Sequence, residues 1–135
     1  MKKLVLFMVF VIIMAGLSVS CTKKEEKSVK VLSINDIKSD PLSFTGKITI
    51  SGTAAAFAQQ DSTIFGVVDT AELITCKNLN CGAFMLPVKY TGSSRMPELA
   101  DVVEITGSFV SYQGGHIFEV TSLTVMRNIR NILIN

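Results

Sequence analysis

The hydrophobic and polar positions sort the chain into an apolar run, a polar stretch and a patterned domain. Lys2 and Lys3 precede apolar residues from Leu4 to Leu17. Residues 22–30, Thr-Lys-Lys-Glu-Glu-Lys-Ser-Val-Lys, are polar and without periodicity, as expected of a flexible tether. Beyond them Ser33 can cap a short helix over Ile34–Ser39, which Asp40-Pro41 would end. Ser43-Phe44-Thr45-Gly46 reads as a turn, and five strand patterns follow. These are Lys47–Phe57, with alanines around Gly52; Thr63–Asp69; Ala83–Tyr90, where Pro87 implies an edge or a strand start; Asp101–Val110; and His116–Met126. In the fourth, Val103, Ile105 and Phe109 alternate with Glu104, Thr106 and Ser108, a half-buried pattern. In the fifth the inward phase shifts between Val120 and Leu123, which predicts a bulge near Thr121-Ser122. Gln113-Gly114-Gly115 predicts a tight hairpin between the last two strands.

The connections carry fewer signals. Asp69 with Glu72 looks like the capping pair of a short helical turn, and Pro97 can start another at Met96–Leu99. Ile129, Ile132 and Leu133 stand at helical spacing in the last segment, which predicts a short packed helix or a frayed tail. Five short strands, one preceding helix and a long mid-chain connection suit an all-β fold, a small five-stranded Greek-key barrel of OB type with short helices. The expected boundaries are a signal segment at 1–20, a tether at 21–30, the barrel at 31–128 and a tail at 129–135.

The segment Leu17-Ser18-Val19-Ser20-Cys21, after a basic head and an apolar middle, resembles the lipobox of bacterial lipoproteins. The resemblance implies cleavage before Cys21, acyl chains such as palmitate on Cys21, and a chain held in the cell envelope facing the periplasm. Ser18 departs from the leucine usual three places before the cysteine. Thr22, in place of an aspartate, points to the outer rather than the inner membrane. The alternative is an uncleaved membrane helix, for which the run is shorter than the roughly 20 residues that span a bilayer.

Cleavage changes the charge balance. Of 13 Lys and Arg, the loss of Lys2 and Lys3 leaves 11, which match the 11 Asp and Glu. A net-neutral domain lacks the basic footprint of a nucleic-acid binder. The expected partners are therefore the membrane, through lipid on Cys21, and an envelope protein or a small molecule.

Gly46-Lys47-Ile48-Thr49-Ile50-Ser51-Gly52 resembles the first strand of secreted OB-fold proteins. Val88-Lys89-Tyr90-Thr91-Gly92, Pro97-Glu98-Leu99 and Val102–Gly107 are similar to the middle of the periplasmic haem chaperone of cytochrome c maturation. That family attaches haem through a histidine beyond the last strand. Here Arg127–Asn135 contains none, so fold and compartment carry over and haem carriage does not.

Candidate chemistry centres on Cys76-Lys77-Asn78-Leu79-Asn80-Cys81. In an oxidising compartment the pair is expected to form a disulfide. The competing reading is a soft-metal site in which Cys76 and Cys81 hold Cu(I) or Zn(II), with Met85 or His116 as a further ligand. Met85, Met96 and Met126 are otherwise expected in the core, and His116 at an exposed strand start. Asp61, Asp69, Glu72 and Asp101 fall at turns or strand ends, where carboxylates are solvated or capping. The single histidine has no acid beside it in sequence, and neither a Gly-x-Ser-x-Gly elbow nor a phosphate-cradling loop occurs. The expectation is a non-catalytic binding or accessory module without a cofactor. The alternative is a metal- or haem-handling protein built on the Cys76/Cys81 loop.

Overall fold

The computed structural model describes residues 29–134. The signal segment, Cys21 and most of the tether lie outside these residues. Elements run in the order β1 (Val31–Ser33), α1 (Ile34–Ile37), β2 (Ile48–Phe57), β3 (Ile64–Val68), α2 (Thr70–Cys76), β4 (Leu86–Tyr90), β5 (Asp101–Tyr112), β6 (Gly115–Asn128) and α3 (Arg130–Leu133).

The five expected strands close into a barrel in the order β2-β3-β4-β6-β5, and β5 pairs back onto β2. All neighbours are antiparallel except β4 and β6, whose parallel pairing of Val88 with Phe118 and Tyr90 with Val120 completes the ring. Pro87 sits one residue before that pairing begins, so its missing N–H costs no bond there. Closure leaves few free strand edges. One element goes beyond the expectation: Val31–Ser33 adds a sixth strand, parallel to Thr49–Ser51 of β2. Three residues are too short for a readable alternation, which is why the sequence pattern did not show it.

The inward positions fill one core. Ile50, Ala54, Phe65, Val67, Leu86, Val88, Val103, Ile105 and Phe118 point inside, and Ile34 and Ile37 of α1 pack against them. Ser33 caps α1, its hydroxyl accepting from the Asp36 N–H while the Asp36 carboxylate accepts from the Ser33 N–H. The helix is shorter than expected and stops at Ile37, and a 3-10 turn occupies Pro41–Ser43.

Three bulges shape the wall. Thr121 has no opposite residue between the pairs Thr106–Ser122 and Gly107–Val120, where the phase shift predicted it. Met126 is extra between Val102–Arg127 and Val103–Val125, and Ala55 between Ala54–Val67 and Ala56–Gly66. The last of these turns Ala55 out of the barrel. It joins Val68, Leu73, Ala100, Val102, Ile129 and Leu133 in a second apolar cluster beneath α2 and α3. The tail therefore ends in a packed helix, with Ile129 and Leu133 buried but Ile132 exposed.

The hairpin forms as expected, with Gln113 and Gly114 both at positive φ, as a two-residue turn that follows the strand twist requires. No helical turn starts at Pro97. Residues 96–98 are irregular, and a turn brings Ala100, at φ 70°, under the second cluster. Asp69 and Asp101, expected at solvated or capping positions, are both buried. Asp69 does cap α2, accepting from the N–H groups of Ala71 and Glu72, and it also accepts from the Asn35 N–H. Asp101 accepts from the Glu98 N–H at 2.8 Å and from the Asn128 side-chain amide at 2.7 Å, which locks the β4–β5 connection to the end of β6. Each carboxylate replaces its lost hydration with directed donors, which is what makes the burial tolerable.

Candidate functional site

The outward face of β3 and β4 carries an apolar trough. Strand alternation sends Phe65 and Val67 into the core and leaves Ile64 and Gly66 outside. On β4 the same alternation leaves Pro87 and Lys89 outside, opposite Gly66 and Ile64. Gly66 has no side chain, and the Met85 thioether lies across it. A Cβ there would overlap the Met85 sulfur and stand 2.7 Å from its Cγ. Phe57, at the end of β2, forms the far wall and stacks on Phe65 with ring centroids 6.0 Å apart. Ala56, Phe57, Ala58, Ile64, Gly66, Met85 and Pro87 enclose about 380 Å³. Phe57 is 37% and Met85 45% exposed, so the trough is open and its lining is solvent-facing.

One end of the trough is polar. Lys89 Nζ stands 3.9 Å from the Asp61 carboxylate and 5.0 Å from the centre of the Tyr112 ring. Asp61 accepts from the Thr63 hydroxyl at 2.5 Å and the Thr63 N–H at 2.9 Å. Those bonds, with Lys89 adding to them, hold its carboxyl below the usual aspartate range. The arrangement offers an apolar floor, a cation, a carboxylate and an aromatic face. It suits an apolar group with a polar end.

The Cys76–Cys81 pair is a disulfide, with Cα atoms 6.2 Å apart. In this state neither sulfur is a thiolate ligand. Met85 lies on the trough rather than in the core, and His116 is exposed beside the β5–β6 hairpin. Among the described residues no three His, Cys, Asp or Glu side chains come together as a metal-binding group. Met96 is half-buried against the core, and Met126, at its bulge, is 59% exposed rather than buried.

The loop between the cysteines and β4 is held by α2 at two points. Glu72 and Cys76 are four residues apart and share one face of that helix. Cys76 bonds Cys81, while the Glu72 carboxylate accepts from the Ala83 N–H at 2.9 Å and pairs with Lys38 at 3.6 Å. The Ala83 bond is the main reason the Glu72 carboxyl sits below its usual range. Leu79 packs against the second cluster, and Gly82 closes on Val68, where a Cβ would stand 2.7 Å from a Val68 methyl.

Of the residues that line the trough, sequence reasoning singled out Met85 as a candidate metal ligand and Pro87 as a mark of strand position, neither as part of a binding face. Two signals were nonetheless present: a lone glycine inside the second strand and a proline inside the third. A glycine in a strand often marks a close approach by another group. Phe57, Ile64 and Lys89 carried no such mark, because their grouping depends on register.

No family model and no curated protein matches this chain. Solved structures do resemble it. The hypothetical protein ygiW from E. coli aligns at 14% identity and a TM-score of 0.50, covering 72% of this chain and 90% of that one. Telomere capping protein Ten1 from Saccharomyces pombe aligns at 15% identity and a TM-score of 0.47, covering 73% of this chain and 81% of that one. At 14% identity the likeness to ygiW concerns the fold alone, and together with the closed strand order it shows an all-β barrel of OB type.

Proposed function

We propose that this protein is a non-catalytic binding or accessory module, tethered to the cell envelope through lipid on Cys21, and that it engages its partner in the β3–β4 trough. The observation that carries the reading is the open apolar trough itself, about 380 Å³ with Phe57 and Met85 exposed along it. Exposed apolar surface that is continuous and rimmed by polar groups marks interaction sites. OB barrels in general use this face, the second and third barrel strands with the adjoining loops, to hold ligands. Here those strands are β3 and β4, and the adjoining connections are residues 58–63 and the Gln113-Gly114 turn. A single lysine at the rim, already beside Asp61, provides little phosphate neutralisation, so the trough favours an apolar segment of an envelope protein or an apolar small molecule over nucleic acid.

A photo-crosslinking phenylalanine analogue at Ile64, in the full chain within its native envelope, tests this. A discrete adduct is expected from Ile64 and not from the same analogue at Lys47, and Met85→Glu should abolish it. Equal labelling from both positions, or none from Ile64, refutes the trough as the binding site.

A further inference from the structure

We propose that the Cys76–Cys81 disulfide is a redox-sensitive clasp on the trough, holding Met85 across Gly66 when oxidised and releasing the trough wall when a dithiol reduces it. This deepens the binding function proposed above and rests on it for its biological meaning, though not for its test.

The geometry runs along one short stretch of chain. Met85 lies four residues after Cys81, and nothing regular separates them. Through Cys76 and Glu72, one face of α2 holds both Cys81 and Ala83. The remaining anchors differ in kind. Leu79 and the bond from the Cys81 N–H to the Asn78 carbonyl hold the loop between the cysteines. Downstream of Cys81, before β4 begins, Gly82 lies on Val68 and Phe84 packs partly on the core. The seat of Met85 is a glycine, and the side chain is 45% exposed. Removing one of two clasps close to a weakly seated side chain lowers the cost of local opening more than that of global unfolding.

The chemistry is accessible. Cys76 is exposed and Cys81 half-buried. A dithiol attacks one sulfur, the Sγ–Sγ bond breaks, and a mixed disulfide resolves as the reductant closes on itself. Two electrons and two protons pass from the dithiol to the two cysteines. The closed ring spans only six residues, so its release adds freedom mainly to the adjoining segment rather than to the whole chain.

The test uses the full chain in detergent, with dithiothreitol as the dithiol and hydrogen–deuterium exchange as the readout. Reduction is expected to speed exchange at residues 82–86 about tenfold more than in β5 and β6, whose exchange follows the global loss of stability. A Cys76→Ser/Cys81→Ser variant, which peroxide cannot re-oxidise, should form Met85 sulfoxide several times faster than the oxidised wild type. Adding Glu72→Gln to that variant should speed it further. The clasp is refuted if faster exchange stops at Cys81 and Met85 oxidises at one rate in both proteins. The crosslink from Ile64 separates the two ideas: an adduct equal in both redox states removes the switch but keeps the site, and no adduct in either state removes the site but leaves the clasp measurable.

Discussion

An alanine at Gly107 would drive its Cβ onto the Glu119 carbonyl oxygen, 2.8 Å from that carbonyl carbon and 3.0 Å from Val120 Cα. All three are backbone atoms of β6, next to the Thr121 bulge, and none can rotate away. Gly107 also pairs with Ile48 on its other side, so a retreat from β6 disturbs the closure of β5 onto β2. Weakening about two ladder hydrogen bonds costs about 1 kcal/mol each. Overpacking strain adds about 1–3 kcal/mol. The sum, about 3–5 kcal/mol, is a large share of the roughly 5–15 kcal/mol that holds a domain of this size together. At roughly 4–8 °C per kcal/mol, the melting temperature should fall by about 12 °C or more. Gly66→Ala supplies the contrast. The three atoms nearest its Cβ are Cγ, Sδ and Cε of Met85, a flexible side chain that can swing aside, so the fold should melt within a few degrees of wild type. The assay is thermal melting followed by circular dichroism, with urea titration for the free energies. A Gly107→Ala protein that melts within about 5 °C of wild type would refute the close-approach argument, as would equal losses at both glycines. Strand propensity cannot supply the loss, because alanine is intrinsically no worse than glycine in a strand.

Other outcomes follow from the same structure. Reducing Cys76–Cys81 should lower global stability by about 2 kcal/mol in the chain-entropy model, read as a shift in urea midpoint at constant slope. Asp101→Ala should cost about 2–4 kcal/mol, since it leaves the Glu98 N–H and the Asn128 amide without their acceptor, and an unchanged midpoint would contradict that. The Asp36, Asp61 and Glu72 carboxyls are all held below their usual ranges, chiefly by hydrogen bonds from the Ser33 N–H, the Thr63 hydroxyl and the Ala83 N–H respectively. A depressed carboxylate contributes stability that is present above the unfolded value near pH 4 and lost as pH falls through the folded value. Melting temperature should therefore fall on going from pH 6 to pH 3, and Asp61→Asn should reduce that fall.

Much of the fold was legible because barrel strands write their burial into the chain at a period of two. Val103, Ile105 and Phe109 were readable as inward positions of β5, although Phe109 is only partly covered. The phase slip between Val120 and Leu123 located the Thr121 bulge, and the two capping sites were legible from Ser33 and Asp69. The spacing of Cys76 and Cys81 left a disulfide and a metal site both open, and the structure shows the disulfide. The trough was not. Phe57 and Met85 read as ordinary apolar residues, and only the pairing of Gly66 with Pro87 and of Ile64 with Lys89 gathers them on one side. The short parallel strand at Val31–Ser33 was also hidden, since three residues carry no period.

The sequence by itself determined five of the six strands, the Thr121 bulge and the chemical interest of the Cys76/Cys81 spacing. Those properties depend on local pattern and composition. Tertiary structure alone decided that β4 joins β6 in parallel to close the barrel, that Asp69 and Asp101 are buried among donors, and that Met85 faces outward over a glycine. The reason is physical: register between distant strands sets which side chains share a face, and a single chain's alternation is blind to what its neighbour presents.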